Sequence, residues 1–290
     1  MLSFGGEMDP LLSKLKTSLS RAADDFSGVL GIAVKDLTTG DELLMNGDEV
    51  FPIASSIKIA ILMGFFDKVE SGQIDPDEPL DLGDEHVVGG SGVLKELAVG
   101  SVTMSTLDYA ILMITVSDNV ATNICIDLAG MDEINNALAR LGLTETRLVR
   151  KMMDLASLAA GKENVSTPRE TMKLMECLFS GKGVSPLVRE RTLEVLKKPK
   201  EGLVEGVIRN SVPDDVQVAD KSGWVEGAMC DVGIVFLRNR PYAISIMAKH
   251  IPASDPKKLN AIRAMTHVTG LVHEYFEEID SATKYGRRRV

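Results

Sequence analysis

The chain predicts an α+β protein, with one antiparallel sheet flanked by terminal helices and an all-helical lobe beside it. Three observations carry this expectation. Short apolar runs of strand character lie near both ends, within 28–46 and 216–248. Between them is a long block whose apolar residues recur at helical spacing. Helical patterns also open and close the chain, over 9–26 and 256–278. Strands so far apart are most economically joined in a single sheet, which leaves the intervening helices to form a layer of their own. The expected lobes are 1–50 with 205–290 for the sheet and 51–204 for the helices. A site is expected at their seam, where pockets commonly form.

The elements follow in order. Leu11, Leu12, Leu15, Leu19 and Ala22 give a helical rhythm over 9–26, with Asp9 as its cap. A strand over 28–35, a Thr-Thr-Gly-Asp turn at 38–41 and a strand over 42–46 form a hairpin. The apolar run 51–66 is long enough to be a buried helix, with Pro52 in its first turn and Gly72 near its stop. Residues 73–105, rich in Asp, Gly and Ser, are expected to be mostly loop. Helices follow over 106–116, capped by Ser105 or Thr106, then 121–128 and 131–141. The aperiodic stretch 143–166 is expected to be a long functional loop. Thr167-Pro168 opens a helix over 169–180, and another spans 186–197. Strands over 216–221, 231–237 and 242–248 precede the final helix, with a turn at 238–241.

Composition narrows the function. The chain has 290 residues, 44% hydrophobic and 26% charged, as an ordinary globular protein does. A net charge of −10 and short basic clusters argue against nucleic acid as a partner, and the arginines at 287–289 suit a solvated tail. Cys125, Cys177 and Cys230 are widely spaced, and the four histidines show no metal-ligand spacing. The cysteines are expected to be reduced core residues, and neither a metal nor a cofactor is implied. No basic region precedes an apolar core at the N-terminus, and no 18-residue uncharged apolar run occurs. The expectation is a monomer without a membrane span. It is cytoplasmic if the chain is full length, and secreted or periplasmic if a leader was removed.

Chemistry concentrates in three short motifs. Ser55 and Lys58 stand three residues apart at the start of the apolar run, so a helix places them on one face. A lysine among Ile57, Ile59, Ile61 and Leu62 loses hydration, which favours its neutral amine and makes it a candidate base. Ser-x-x-Lys also begins at Ser13, Ser254 and Ser281, but only Ser55 opens a long apolar helix. Ser117-Asp118-Asn119 interrupts the helical block, and Lys221-Ser222-Gly223 closes a strand. Acyl transfer needs a nucleophile and base, a proton shuttle to the leaving atom, and a cation and hydroxyl for a substrate carboxylate. Ser55, Lys58 and Ser117 suit the catalytic tasks. Asn119, Lys221 and Ser222 suit binding, and Gly223 lets substrate approach the strand closely.

This set resembles the class A β-lactamases and related penicillin-binding proteins, whose motifs are Ser-x-x-Lys, Ser-Asp-Asn and Lys-Thr/Ser-Gly. The resemblance extends over roughly 25–280 and includes the strand 227–235. It implies the serine β-lactamase/transpeptidase-like fold and an oxyanion hole made by the backbone N–H groups of Ser55 and Trp224. It also implies a serine hydrolase, acylated at Ser55, that opens penicillins and cephalosporins. An esterase or peptidase on the same fold is an alternative, and so is a penicillin-binding sensor that acylates without turnover. Substrates would be small β-lactams, esters or peptides.

The family pattern Arg-Leu-Asp-Arg-Trp-Glu-Pro-Glu-Leu-Asn is here Arg-Leu-Val-Arg-Lys-Met-Met-Asp-Leu-Ala, residues 147–156. Met152 thus stands at the deacylating glutamate and Ala156 at the asparagine that helps hold the water. Methionine cannot take a proton, so slow deacylation is expected. Asp154 could serve as an alternative base if the loop folds differently. The loop's Arg–Asp clamp would be Arg150 with Asn164, without its ionic part. The basic residue of the following strand is absent near Met229.

Overall fold

Strands from both ends of the chain meet in one five-stranded antiparallel sheet, in the order β2-β1-β9-β8-β7. The computed structural model describes residues 10–200, 205–255, 259–283 and 286–288. Helix α1 (Pro10–Asp24) leads into β1 (Val29–Asp36) and β2 (Glu42–Met45). A two-residue strand, β3 (Phe51–Pro52), precedes a 3-10 turn over Ala54–Ile57 and helix α2 (Lys58–Glu70). Short strands β4 (Pro79–Asp81) and β5 (Thr103–Ser105) pair across the 73–105 segment. Then come α3 (Thr106–Thr115), α4 (Asn119–Ala129), α5 (Met131–Arg140), α6 (Leu155–Ala159), β6 (Val165–Ser166), α7 (Pro168–Ser180) and α8 (Pro186–Leu196). The chain closes with β7 (Val218–Val225), β8 (Ala228–Val235), β9 (Tyr242–Lys249) and α9 (Leu259–Ser281).

Alternation along β1 explains the layering. Leu30, Ile32 and Val34 enter the core shared with α1 and α9, beside Leu19, Val268 and Val272. Ala33 faces the other way, into the larger core that holds Ile59, Tyr109 and Met172 of the helical block. A small side chain there lets α7 lie against β1. Helix α2 is buried along most of its length, from Lys58 through Phe66, and so is hydrophobic all round.

Several boundaries differ from expectation, each for a tertiary reason. Pro52 belongs to β3 and pairs with Val165 of β6, so the α-helix begins only at Lys58. Lys221-Ser222-Gly223 lies inside β7, which continues to Val225 because Trp224 and Val225 pair with Met229 and Ala228 of a tight hairpin. The strand after it accordingly starts at Ala228. Segments expected as loop contain the antiparallel β4–β5 pair and the short helix α6. Ser105 caps α3 by accepting the Asp108 N–H. The expected cap Asp9, the first residues of the last helix (256–258) and Arg289 lie outside the described residues.

Candidate active site

The turn that carries Ser55 is fixed from three sides. Ile53 donates its N–H to Asn164 O at 3.0 Å, which ties the turn to the 143–166 segment. Ser56 Oγ donates to Lys221 O of β7 at 2.8 Å. The buried Cys230 of β8 donates its thiol to Ile53 O and lies 3.2 Å from Ser56 Oγ. Ala54 is thereby held at φ +47°, a left-handed conformation that costs about 1–2 kcal/mol in an L residue. Gly223 completes the turn's setting. A Cβ there would sit 2.6 Å from Ser55 N and 2.8 Å from Ser56 N, so only glycine lets β7 run this close to those amides.

Lys58, the first residue of α2, is wholly buried. Its Nζ donates to Ser117 O at 2.8 Å, Ser117 Oγ at 3.0 Å and Asn119 Oδ1 at 3.2 Å. Burial holds its pKa well below the usual lysine value; the charge of Lys221 adds to the depression and Asp118 opposes it. The neutral amine suits these partners. It shares its two N–H bonds among these three acceptors and keeps a lone pair that can take a proton.

Ser117 itself is buried at φ +54° between α3 and α4. Asp118 makes that turn possible from behind. One carboxylate oxygen caps α4 through the Ala121 N–H, and the other accepts the N–H groups of Val93 and Leu94. Asn119 donates Nδ2 to Gly89 O at 3.2 Å, and Gly90 leaves room for that amide. Ser117 and Asn119 therefore face the cleft, and Asp118 does not line it.

Ser55, Ser117, Asn119, Lys221, Ser222, Gly223 and Trp224 all line one cavity of about 520 Å³, and Lys58 lies beneath it, bonded to Ser117 and Asn119. Lys221 is fully buried, with Nζ donating to Ser222 O at 2.7 Å. Its pKa falls to about 8, first through burial and then through Lys200, with Asp220 and Asp231 opposing. Asp154 is not among the lining residues. Its carboxylate caps α6 by accepting the Ser157 N–H at 2.9 Å, and that bond lowers its pKa.

Met152 lies buried in the cavity wall. Its main chain is gripped by Asn123, whose Oδ1 accepts Met152 N–H at 2.8 Å and whose Nδ2 donates to Met152 O at 3.1 Å. Asn123 escaped the sequence reading. Its signal was a polar residue one turn after Asn119 in an apolar helix. The neck of the segment also differs from expectation. Asn164 Oδ1 accepts the N–H groups of Val149 (2.7 Å) and Arg150 (3.1 Å), and Arg150 forms its ion pair with Glu163 at 2.7 Å. The ionic part of the clamp is thus supplied one residue earlier. Glu163 is also the one carboxylate among the lining residues. The cysteines Cys125, Cys177 and Cys230 are buried and unpaired.

This architecture is that of the serine β-lactamases and penicillin-binding proteins. PBP-A superposes with a TM-score of 0.80 at 28% identity, covering 92% of this chain and 97% of its own. A β-lactamase from Sphaerobacter thermophilus superposes at 0.81 with 24% identity, over 93% and 98% of the two chains, and that likeness concerns the fold alone. The chain belongs to the β-lactamase enzyme family, whose profile matches residues 14–276. Among its relatives, β-lactamase SME-1 of Serratia marcescens is 26% identical over 79% of this chain and 78% of its own. The carbapenem-hydrolyzing β-lactamase KPC of Klebsiella oxytoca is 25% identical over 84% of each.

Proposed function

We propose that the protein is a serine hydrolase acylated at Ser55 by β-lactams, and that the acyl-enzyme is released slowly. One observation supports the acylation half above all others. A desolvated Lys58 amine is bonded to Ser117 Oγ at 3.0 Å under the cavity that Ser55 lines. Neutral Lys58 takes the Ser55 hydroxyl proton as Oγ attacks the lactam carbonyl. The N–H groups of Ser55 and Trp224 receive the developing oxyanion. The C–N bond breaks, and the proton passes from Lys58 through Ser117 to the departing nitrogen. Asn119 holds the acyl amide of the substrate, and Lys221 with Ser222 holds its carboxylate.

Release requires a base for the attacking water. The Met152 thioether accepts no proton at neutral pH, and Glu163 is engaged by Arg150 and by the Asn164 N–H at 2.8 Å. The same absence favours a second reading, in which activated esters or peptides are the working substrates. Intact-protein mass spectrometry after exposure to penicillin G and nitrocefin tests the proposal. We expect a one-to-one adduct that outlasts many minutes and is missing in Ser55→Ala. Met152→Glu should shorten its lifetime. No adduct with either compound or with p-nitrophenyl esters, or an adduct that persists in Ser55→Ala, overturns it.

A further inference from the structure

Two lysines and two aspartates are buried around β7, and the acylation chemistry calls on only one of the four. Lys221 lines the cavity. Lys200, Asp220 and Asp231 do not line it, yet they are buried as deeply. Lys200 follows α8, and its Nζ donates to Leu196 O at 2.7 Å, Lys198 O at 3.3 Å and Asp220 Oδ1 at 3.1 Å. It thus joins the end of the helical block to β7, at the residue immediately before Lys221.

Stability is a poor account of this pair. Taking two ions out of water costs about as much as their attraction returns, and apolar residues of similar volume often serve as well. The pair is also incomplete, because Asp220 Oδ2 has no hydrogen-bond partner among the described residues. What distinguishes it is its place beside the cation of the cleft. The titratable groups that face Lys221 are Lys58 of α2, Lys200 after α8, Asp220 of its own strand, and Asp231 and Cys230 of β8. Burial favours the neutral Lys58 amine and keeps the Cys230 thiol protonated. Lys200 is then the neighbouring cation, and two ammonium groups close together in the interior repel. That repulsion adds to burial in depressing Lys221, while the two aspartates oppose it.

We propose that Lys200 is a positioning residue of the carboxylate subsite. Held on Asp220, it limits how far into alkali Lys221 stays cationic, and so over what pH range the cleft prefers carboxylate-bearing ligands to neutral ones. The proposal rests on Lys221 as the carboxylate's partner in the reading above, but not on acylation itself. Lys221 is cationic below about pH 8 and neutral above it. A carboxylate therefore loses its partner as pH rises through that value, whereas an uncharged ligand does not. Removing the Lys200 charge moves the crossing upward.

The test titrates Ser55→Ala protein, in which no acylation intervenes, with penicillin G and with its uncharged methyl ester. Calorimetry at about pH 7 and about pH 9 gives the preference for free acid over ester, a ratio from which shared contacts cancel. In the Ser55→Ala background that preference should fall about 10-fold between the two pH values, as the cationic fraction of Lys221 does. With Lys200→Met added, it should fall by about 3-fold or less. Lys200→Arg keeps the charge and should restore the full fall. Lys200→Met with Asp220→Asn removes the pair together and leaves no carboxylate buried alone. It too should hold the preference at the higher pH, because the push of Lys200 on Lys221 exceeds the pull of Asp220. Circular dichroism confirms that each variant is folded. The proposal is overturned by a preference that is absent or does not fall in the background. It is overturned equally by an undiminished fall in either variant lacking the Lys200 charge, or by Lys200→Arg behaving as Lys200→Met. If the expected pattern appears while penicillin G never acylates the protein with Ser55, the hydrolase reading falls and the role of Lys200 stands. If adducts form and the pattern is missing, the role of Lys200 alone falls.

Discussion

At the scale of single residues, Cys230 helps to fix the turn that carries Ser55. Its thiol is pushed up to about 12, chiefly by burial, and so stays protonated as a donor to Ile53 O. Together with the Ser56–Lys221 bond it holds the turn in which Ala54 adopts φ +47°. A backbone conformation of that kind persists only where its surroundings fix it. Cys230→Ala removes one hydrogen bond, worth about 1 kcal/mol, and should slow acylation of Ser55 by about 5-fold with little change in substrate affinity. Cys230→Ser keeps a donor and should recover most of that rate. Stopped-flow measurement with nitrocefin separates the two effects. An alanine variant that acylates at the parental rate, or a serine variant as slow as alanine, would show that Cys230 merely fills space.

At the scale of elements, the 143–166 segment owes its shape to its neck. Asn164 is buried and takes the N–H groups of Val149 and Arg150 on one oxygen, while its Nδ2 returns a bond to Arg150 O at 3.1 Å. Asn164→Ala strands two backbone N–H groups and one carbonyl, at about 1–3 kcal/mol for each left unpaired in the interior. The variant should therefore expose the amides of Val149, Arg150 and Met152 to hydrogen exchange at least 10-fold faster than the parent, well before global unfolding. Unchanged protection there would mean that the neck is held elsewhere. The same segment shows what a sequence can and cannot disclose. Met152 and its neighbours were placed by motif, and the long helices by their 3.6-residue rhythm, because both signals are local. The β3–β6 pair was not, since Pro52 and Val165 lie far apart in the chain and each strand is only two residues long. Glu163 as the partner of Arg150 was equally hidden, because nothing in a run of polar residues says which side chain turns inward. Lys221 read as the end of a strand for a related reason. Ser222 and Gly223 are weak strand formers, and it is the pairing of Trp224 with Met229 that carries β7 onward.

At the scale of the whole molecule, the sheet separates two cores and hides charge within one of its layers. The antiparallel register sets Ser222 opposite Asp231 and Asp220 opposite Gly233, which places both aspartates diagonally on one face. Lys200 pairs with Asp220 at 3.1 Å with almost no exposure of either side chain. Asp231 accepts the Ile208 N–H at 2.9 Å through one oxygen. Its other oxygen, and one of Asp220, has no hydrogen-bond partner among the described residues. Burial first, and then the charge of Asp220, raise the Asp231 pKa from 3.8 to about 7. Between those two values the folded chain keeps a proton that the unfolded chain has released. The stability contributed by this group is therefore whole below about pH 4 and is lost as pH rises through about 7. Asn at 231 can still accept the Ile208 N–H and does not titrate. Asp231→Asn should accordingly gain on the parent in melting temperature as pH is raised from 5 to 8, and the gap should be widest at pH 8. Melting curves for the two proteins that run parallel across that interval would show that Asp231 stays ionised in the folded chain.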